Sequence, residues 1–133
     1  MKLLFLALIL TLALGASVQT NAQTAQAVRV MGGKQKTAPR SKVTIKFVSL
    51  IEDSRCAEGT NCVWAGNARI KVSIKKGSDP AETFEMNTNT GIDGVTYGQY
   101  AIYLKNLTPV PKANIRINRN AYTATFSVSR LSR

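Results

Sequence analysis

The run Glu52 to Gly66, EDSRCAEGTNCVWAG, gathers most of what could do chemistry in this chain. It holds both cysteines, the only tryptophan and three of the seven acidic residues. Two thiols with five residues between them can serve as a disulfide, a redox couple or half of a metal site. A redox couple favours C-x-x-C, and Cys56 and Cys62 are spaced more widely than that. A tetrahedral metal site needs further soft ligands, and the chain has no histidine. The expected state is therefore a Cys56–Cys62 disulfide in an oxidising compartment. Closing so small a loop is worth roughly 2 kcal/mol in the chain-entropy picture. No metal and no cofactor are implied.

Catalysis finds little footing. General acid–base chemistry near neutral pH usually recruits histidine, which is lacking here. Carboxylate pairs such as Glu52 with Glu58 or Asp53 with Asp93 are formally open, but paired surface acids are the commoner outcome. The chain is expected not to be an enzyme. The same motif makes sense as scaffold. Asp53 is placed to accept backbone N–H groups, and Arg55 to pair with a carboxylate or reach a carbonyl. Trp64 follows Cys62 by two residues, so in an extended chain it shares the face of the sulfur, and it is expected to pack over the core edge. Gly66 permits a close backbone approach or a bulge at a strand start. As a binding loop, residues 52–62 would offer Asp53, Ser54, Arg55, Glu58 and Asn61.

The elements that must position this loop are strands. Asn67 to Lys76 alternates Ala68, Ile70, Val72 and Ile74 with Arg69, Lys71, Ser73 and Lys75, one face core and the other wet and cationic. Ala81 to Asn87 returns after the turn 76–80, with Phe84 and Met86 inward, as a hairpin. Before the motif, Lys42 to Leu50 has period two: Val43, Ile45, Phe47 and Ser49 on one side, Thr44, Lys46, Val48 and Leu50 on the other. After it come a strand over Gln99 to Leu104, an extended proline-rich connection over Thr108 to Pro111, a brief strand start at Ile115 and Ile117, and a last strand over Ala121 to Val128. Val28 to Met31 adds a short strand, whereas 23–27 reads as a disordered leader, Lys34 to Pro39 as a turn and 87–94 as a polar loop. No sustained helical stripe occurs. Six to seven short strands with Gly, Pro and Asn punctuation predict an all-β fold, an antiparallel β-sandwich of immunoglobulin-like type, the alternative being a small β-barrel.

The N-terminus sets the compartment. Lys2 precedes an almost unbroken apolar run from Leu3 to Leu14, too short for a comfortable membrane span and followed by small and polar residues. This predicts a signal peptide over 1–22, cleaved after Ala22, with a second small-x-small site after Ala27, and a single domain over 23–133. No cysteine follows the apolar run to carry a lipid, and no second segment is long enough to span a bilayer. The chain is expected to be secreted or periplasmic. Its formal net charge of +11 favours acidic surfaces. Arg69, Lys71 and Lys75 form the candidate basic face, with Lys42, Lys46 or Arg116 as possible additions from neighbouring strands.

The run Asp53-Ser54-Arg55-Cys56 and then Cys62-Val63-Trp64-Ala65-Gly66, opening a basic amphipathic strand, resembles a motif of small secreted or lipoprotein-type bacterial proteins of uncharacterised function. An apolar strand before it, Leu107-Thr108-Pro109-Val110-Pro111 after it and the final Tyr122, Ala124 and Phe126 come in the order of that group. The likeness thus covers most of the chain after the apolar leader. It departs at Ala57, where such proteins often carry proline. The resemblance implies an exported β-domain and brings no activity with it. The expectation for function is a non-catalytic binding or interaction domain presenting the disulfide-closed loop. The alternatives are a protease inhibitor using that loop and a structural or polyanion-binding envelope protein. The partner would be an exported protein or an anionic envelope polymer.

Overall fold

The computed structural model describes residues 24–89 and 94–132; the expected signal segment and Asp93 lie outside the described residues. Eight strands form two antiparallel sheets of four. β2 (Gln35–Thr37), β3 (Val43–Asp53), β4 (Ala68–Lys76) and β5 (Glu82–Asn87) pair in chain order as a meander. β6 (Gly94–Tyr97), β7 (Tyr100–Thr108) and β8 (Thr123–Arg130) form a second meander, and β1 (Gln26–Met31) pairs with β8 on its far side. The sheets do not close into a barrel; the fold is a β-sandwich. Its likeness to the immunoglobulin sandwich is one of architecture, since β1–β8 is the one pairing out of chain order. Among the described residues no helix is long and apolar enough to cross a membrane.

Alternation along β4 and β8 fills the interior. Ala68, Ile70, Val72 and Ile74 face Ala124, Phe126 and Val128 across one core, joined by Val43, Ile45 and Phe47 of β3 and by Val28 and Val30 of β1. Burying each large side chain contributes roughly 1.5–3 kcal/mol of transfer free energy. Met86 is buried and Phe84 packs partly against this core, as the hairpin reading requires.

β3 departs from simple alternation, and the departure places the site. A register shift lies between Phe47 and Ser49, so Leu50, not Ser49, stands opposite the inward Ile70. Val48 is left exposed, so the outer face at this end of β3 is not buried. A second shift between Leu50 and Glu52 restores the parity, and Asp53 stands opposite the buried Ala68. A bulge inserts one residue and flips the facing of the residues after it; two of them return Asp53 to the inner side.

Other expectations change at the edges. Gln26 and Ala27, read as leader, belong to β1, opposite Val128 and Ser127. Residues 35–37, read as turn, pair with β3, Thr37 Oγ1 lying 2.7 Å from Thr44 Oγ1. Gly94 to Tyr97, unread as strand, pairs with β7. β7 itself runs on to Thr108, with Lys105 bulged outward between Leu104 and Asn106. The strand expected at Ile115 does not form: that segment is loop, Ile115 is exposed, and only Ile117 packs against the core.

Candidate functional site

The dense motif becomes the connection 54–67 between β3 and β4, at one end of the sandwich. Its stem continues the pairing. Ser54 N donates to Asn67 O at 2.7 Å, and Cys56 N donates to Ala65 O at 3.0 Å. Ser54 Oγ also donates to Asn67 O at 2.9 Å. Gly66 sits at φ 71°, and a Cβ there would collide with the Ser54 carbonyl, so the close approach inferred from sequence is real. Asn67 fastens the stem to the end of β5: its Nδ2 donates to Asn87 Oδ1 at 2.9 Å, and its Oδ1 accepts from the Thr88 and Asn89 amides, both at 3.1 Å.

Arg55 and Asp53 make the main brace. Arg55 Nε donates to Asp53 Oδ1 at 2.8 Å, and one terminal nitrogen donates to Oδ2 at 2.7 Å. The other terminal nitrogen donates to Leu107 O at 2.6 Å, and Pro109 O accepts a further bond at 2.9 Å. The Thr108–Pro109 peptide bond is cis. Tyr122 Oη completes the cluster by donating to Asp53 Oδ2 at 2.9 Å. The planar fork of arginine suits this paired geometry. Burial alone would raise the Asp53 carboxyl, but the bonds from Arg55 and Tyr122 outweigh it and hold the group below its ordinary value. Burial and the neighbouring carboxylate push the Tyr122 hydroxyl up.

The loop tip carries the disulfide. Cys56 and Cys62 are bonded, with Cα atoms 5.8 Å apart, and Thr60 Oγ1 donates to Ala57 O at 2.6 Å inside the ring. Glu58 pairs with the proline-rich segment: its amide donates to Pro111 O at 2.8 Å, and its carboxylate lies 4.0 Å from Lys112 Nζ. The connections 54–67 and 109–122 are thus one bonded body. Ser54 and Asn61 are exposed, whereas Asp53 and Arg55 keep only 7% and 14% of their side chains accessible. Those two are braces facing inward, so Arg55 is not offered outward to a protease cleft.

Trp64 corrects the sequence expectation. It does not pack at the core edge; it is 81% exposed, and Val63 beside it is 90% exposed. The bonds from Cys56 to Ala65 and from Ser54 to Asn67 turn the chain back before it can lie along the sheet, leaving 63–64 at the outer bend. A cavity of about 310 Å³ opens between the stem and β7, lined by Cys56, Ala65, Gly66, Leu104 and Lys105 among others. The Arg55 donors beside it are taken by Asp53, Leu107 and Pro109.

Arg69, Lys71 and Lys75 do share the outer face of β4, with Lys46 joining them opposite Ser73. Lys42 lies in the turn before β3 and Arg116 in the loop 109–122, so neither extends that face. Glu52 and Glu85 reach Arg69 at 3.7 and 3.6 Å, and Glu85 stands opposite Lys71. The face is mixed in sign, and such half-exposed pairs contribute well under about 1 kcal/mol each.

Sequence reasoning missed Tyr122 as the partner of Asp53, the carbonyls of Leu107 and Pro109, and the exposed tip. Set against protein-family models, curated proteins and solved structures, the chain matches none of them. Fold and site together define an antiparallel β-sandwich with one braced, disulfide-closed loop at its end.

Proposed function

We propose that this protein is an exported, non-catalytic binding domain, secreted or periplasmic, that presents the loop after β3 to a partner. One observation carries the reading: Trp64 and Val63 stand almost fully exposed on a loop whose stem is tied down by hydrogen bonds, an ion pair and a disulfide. Exposing tryptophan forgoes a large transfer free energy, and exposed tryptophan recurs as an anchor at interfaces. The ties order the loop in advance, so binding costs less conformational entropy. The loop acts through Val63 and Trp64 at the bend, while Asp53 and Arg55 hold the stem.

The test is retention of the immobilised domain 23–133 on envelope and secreted fractions of its source, at low and moderate salt. Trp64→Ala is expected to reduce retention at least tenfold with an unchanged melting temperature. Equal retention by the variant would overturn the reading.

A further inference from the structure

The exposed apolar residues are unevenly placed. Trp64 and Val63 lie on the connection 54–67; Ile115, 61% exposed, and Val110, 40% exposed, lie on the connection 109–122. Those two connections are bonded to each other through Arg55, Glu58, Pro109 and Pro111. Met31, also exposed, ends β1 opposite Thr123, where the second connection ends. Gly32 N donates to Tyr122 O at 2.8 Å, tying that corner to the same end. Of the seven exposed large apolar residues among the described residues, four lie on these two joined connections at one end of the sandwich. Met31 faces outward at the adjoining end of β1, Val48 faces outward from β3, and Leu131 follows β8 at the opposite end.

Charge accompanies them. Lys112, Arg116 and Arg119 are exposed on the connection 109–122, which holds no acidic residue. Lys105 bulges outward from β7 nearby. The connection 54–67 contributes one carboxylate, Glu58, which lies beside Lys112.

We propose that this end docks onto an anionic phospholipid bilayer, with Val63 and Trp64 at the headgroup boundary and Arg116, Arg119 and Lys112 against the headgroups. The inference rests on the binding-domain reading and names its partner. Tryptophan favours the membrane–water boundary, where one part of the ring is apolar and its N–H stays wet. Basic side chains next to it gain from the negative surface potential. The apolar residues project from separate segments, so a fluid surface accommodates them together, whereas a rigid protein would need a separate seat for each. A second copy of this chain is disfavoured, because apposing two such ends would bring Lys112, Arg116 and Arg119 of both against one another.

The experiment uses the domain 23–133 with vesicles of phosphatidylglycerol or of phosphatidylcholine. Trp64 is the only tryptophan, so its emission reports the docking residue directly. Expected are a blue shift with the anionic vesicles alone, quenching by brominated acyl chains, and weakening by salt. Arg116→Gln with Arg119→Gln should lower affinity about 25-fold, from roughly fivefold per basic residue at an anionic surface. Arg69→Gln with Lys71→Gln and Lys75→Gln should change it less than twofold. The proposal is overturned by absent binding, by binding that leaves Trp64 emission unmoved, or by dependence on the β4 face in place of Arg116 and Arg119. If vesicles fail while Trp64→Ala still abolishes retention on source fractions, the lipid surface is wrong and the binding-domain reading stands. If both fail, the loop has no binding role.

Discussion

Tyr122 Oη and Asp53 Oδ2 lie 2.9 Å apart across 69 residues of chain, joining the start of the last strand to the end of β3. Asp53 also carries the Arg55 pair, so the bond ties the two sheets through one carboxylate. Tyr122→Phe keeps the ring and removes one charge-assisted bond, an expected loss of about 2 kcal/mol. Arg55→Ala should cost more, about 3 kcal/mol, because it leaves Asp53 inaccessible and partly unpaired and deprives two carbonyls of their donor. Arg55→Lys should rescue little, since an ammonium cannot span carboxylate and both carbonyls. Urea unfolding of the three variants and of the Tyr122→Phe/Arg55→Ala double checks this; additive losses would show that the three groups do not act as a cluster.

The same carboxylate gives stability a pH signature. Asp53 is held below its ordinary value of 3.8, so the folded state favours its ionised form. That contribution is complete above 3.8 and fades as pH falls through the lower folded value. Tyr122 runs the other way: its raised folded value means a contribution present below 10.0 that is lost as pH rises beyond it. Asp53→Asn should flatten the acid limb of the stability curve, measured by urea midpoints from strongly to mildly acidic pH. An acid limb as steep in the variant as in the wild type would mean other carboxylates set it.

The strands were legible because their signal is local. Ile70, Val72 and Ile74 alternate with the charged or polar Arg69, Lys71, Ser73 and Lys75, and that pattern has one solution when one face is buried. The β3 bulges were not legible, because the parity change at Val48 shows only when Leu50 is seen opposite Ile70. The motif was half legible. Proximity on the chain correctly suggested that Arg55 meets a carboxylate or a carbonyl, and it meets both. Tyr122 and Leu107 were beyond reach, since nothing local marks a partner so distant along the chain. Trp64 misled because hydrophobicity argues for burial, and its exposure results from how Cys56 and Ala65 turn the chain.

Exposure of Trp64 has a spectroscopic consequence. Native emission should lie close to the fully hydrated limit and move little on unfolding, because 81% of the residue already meets solvent. A strongly blue-shifted native spectrum of the monomer would contradict the loop geometry. Cys56→Ser with Cys62→Ser should lower stability by about 2 kcal/mol, given the small closed ring. The far-ultraviolet spectrum should stay that of a β-protein, since the sheets are held by residues outside the ring. Thiol titration of the unfolded, unreduced protein should find no free cysteine.

The proposed export would offer two small-x-small cleavage sites, after Ala22 and after Ala27, that differ in what they leave of β1. Cleavage after Ala22 would keep Gln26 and Ala27, which pair with Val128 and Ser127 at the outer edge of the β8 sheet. Gln26 also accepts a bond from the Arg40 amide at 2.9 Å through its side chain, closing the end of the sandwich away from the disulfide. Cleavage after Ala27 would remove these contacts and leave the buried Val28 as a charged N-terminus. An ammonium next to a core valine is costly to bury, so the shorter form should fray at β1. If the chain is exported as proposed, intact-mass measurement of the mature protein is expected to give a start at Gln23, the form that keeps the first residues of β1. A version beginning at Val28 should unfold at lower urea, with faster amide exchange in β1 and β8 than in β3 and β4. Equal stability of the two forms would show that the first two residues of β1 contribute nothing to the sheet, and would remove the physical reason to favour the earlier site.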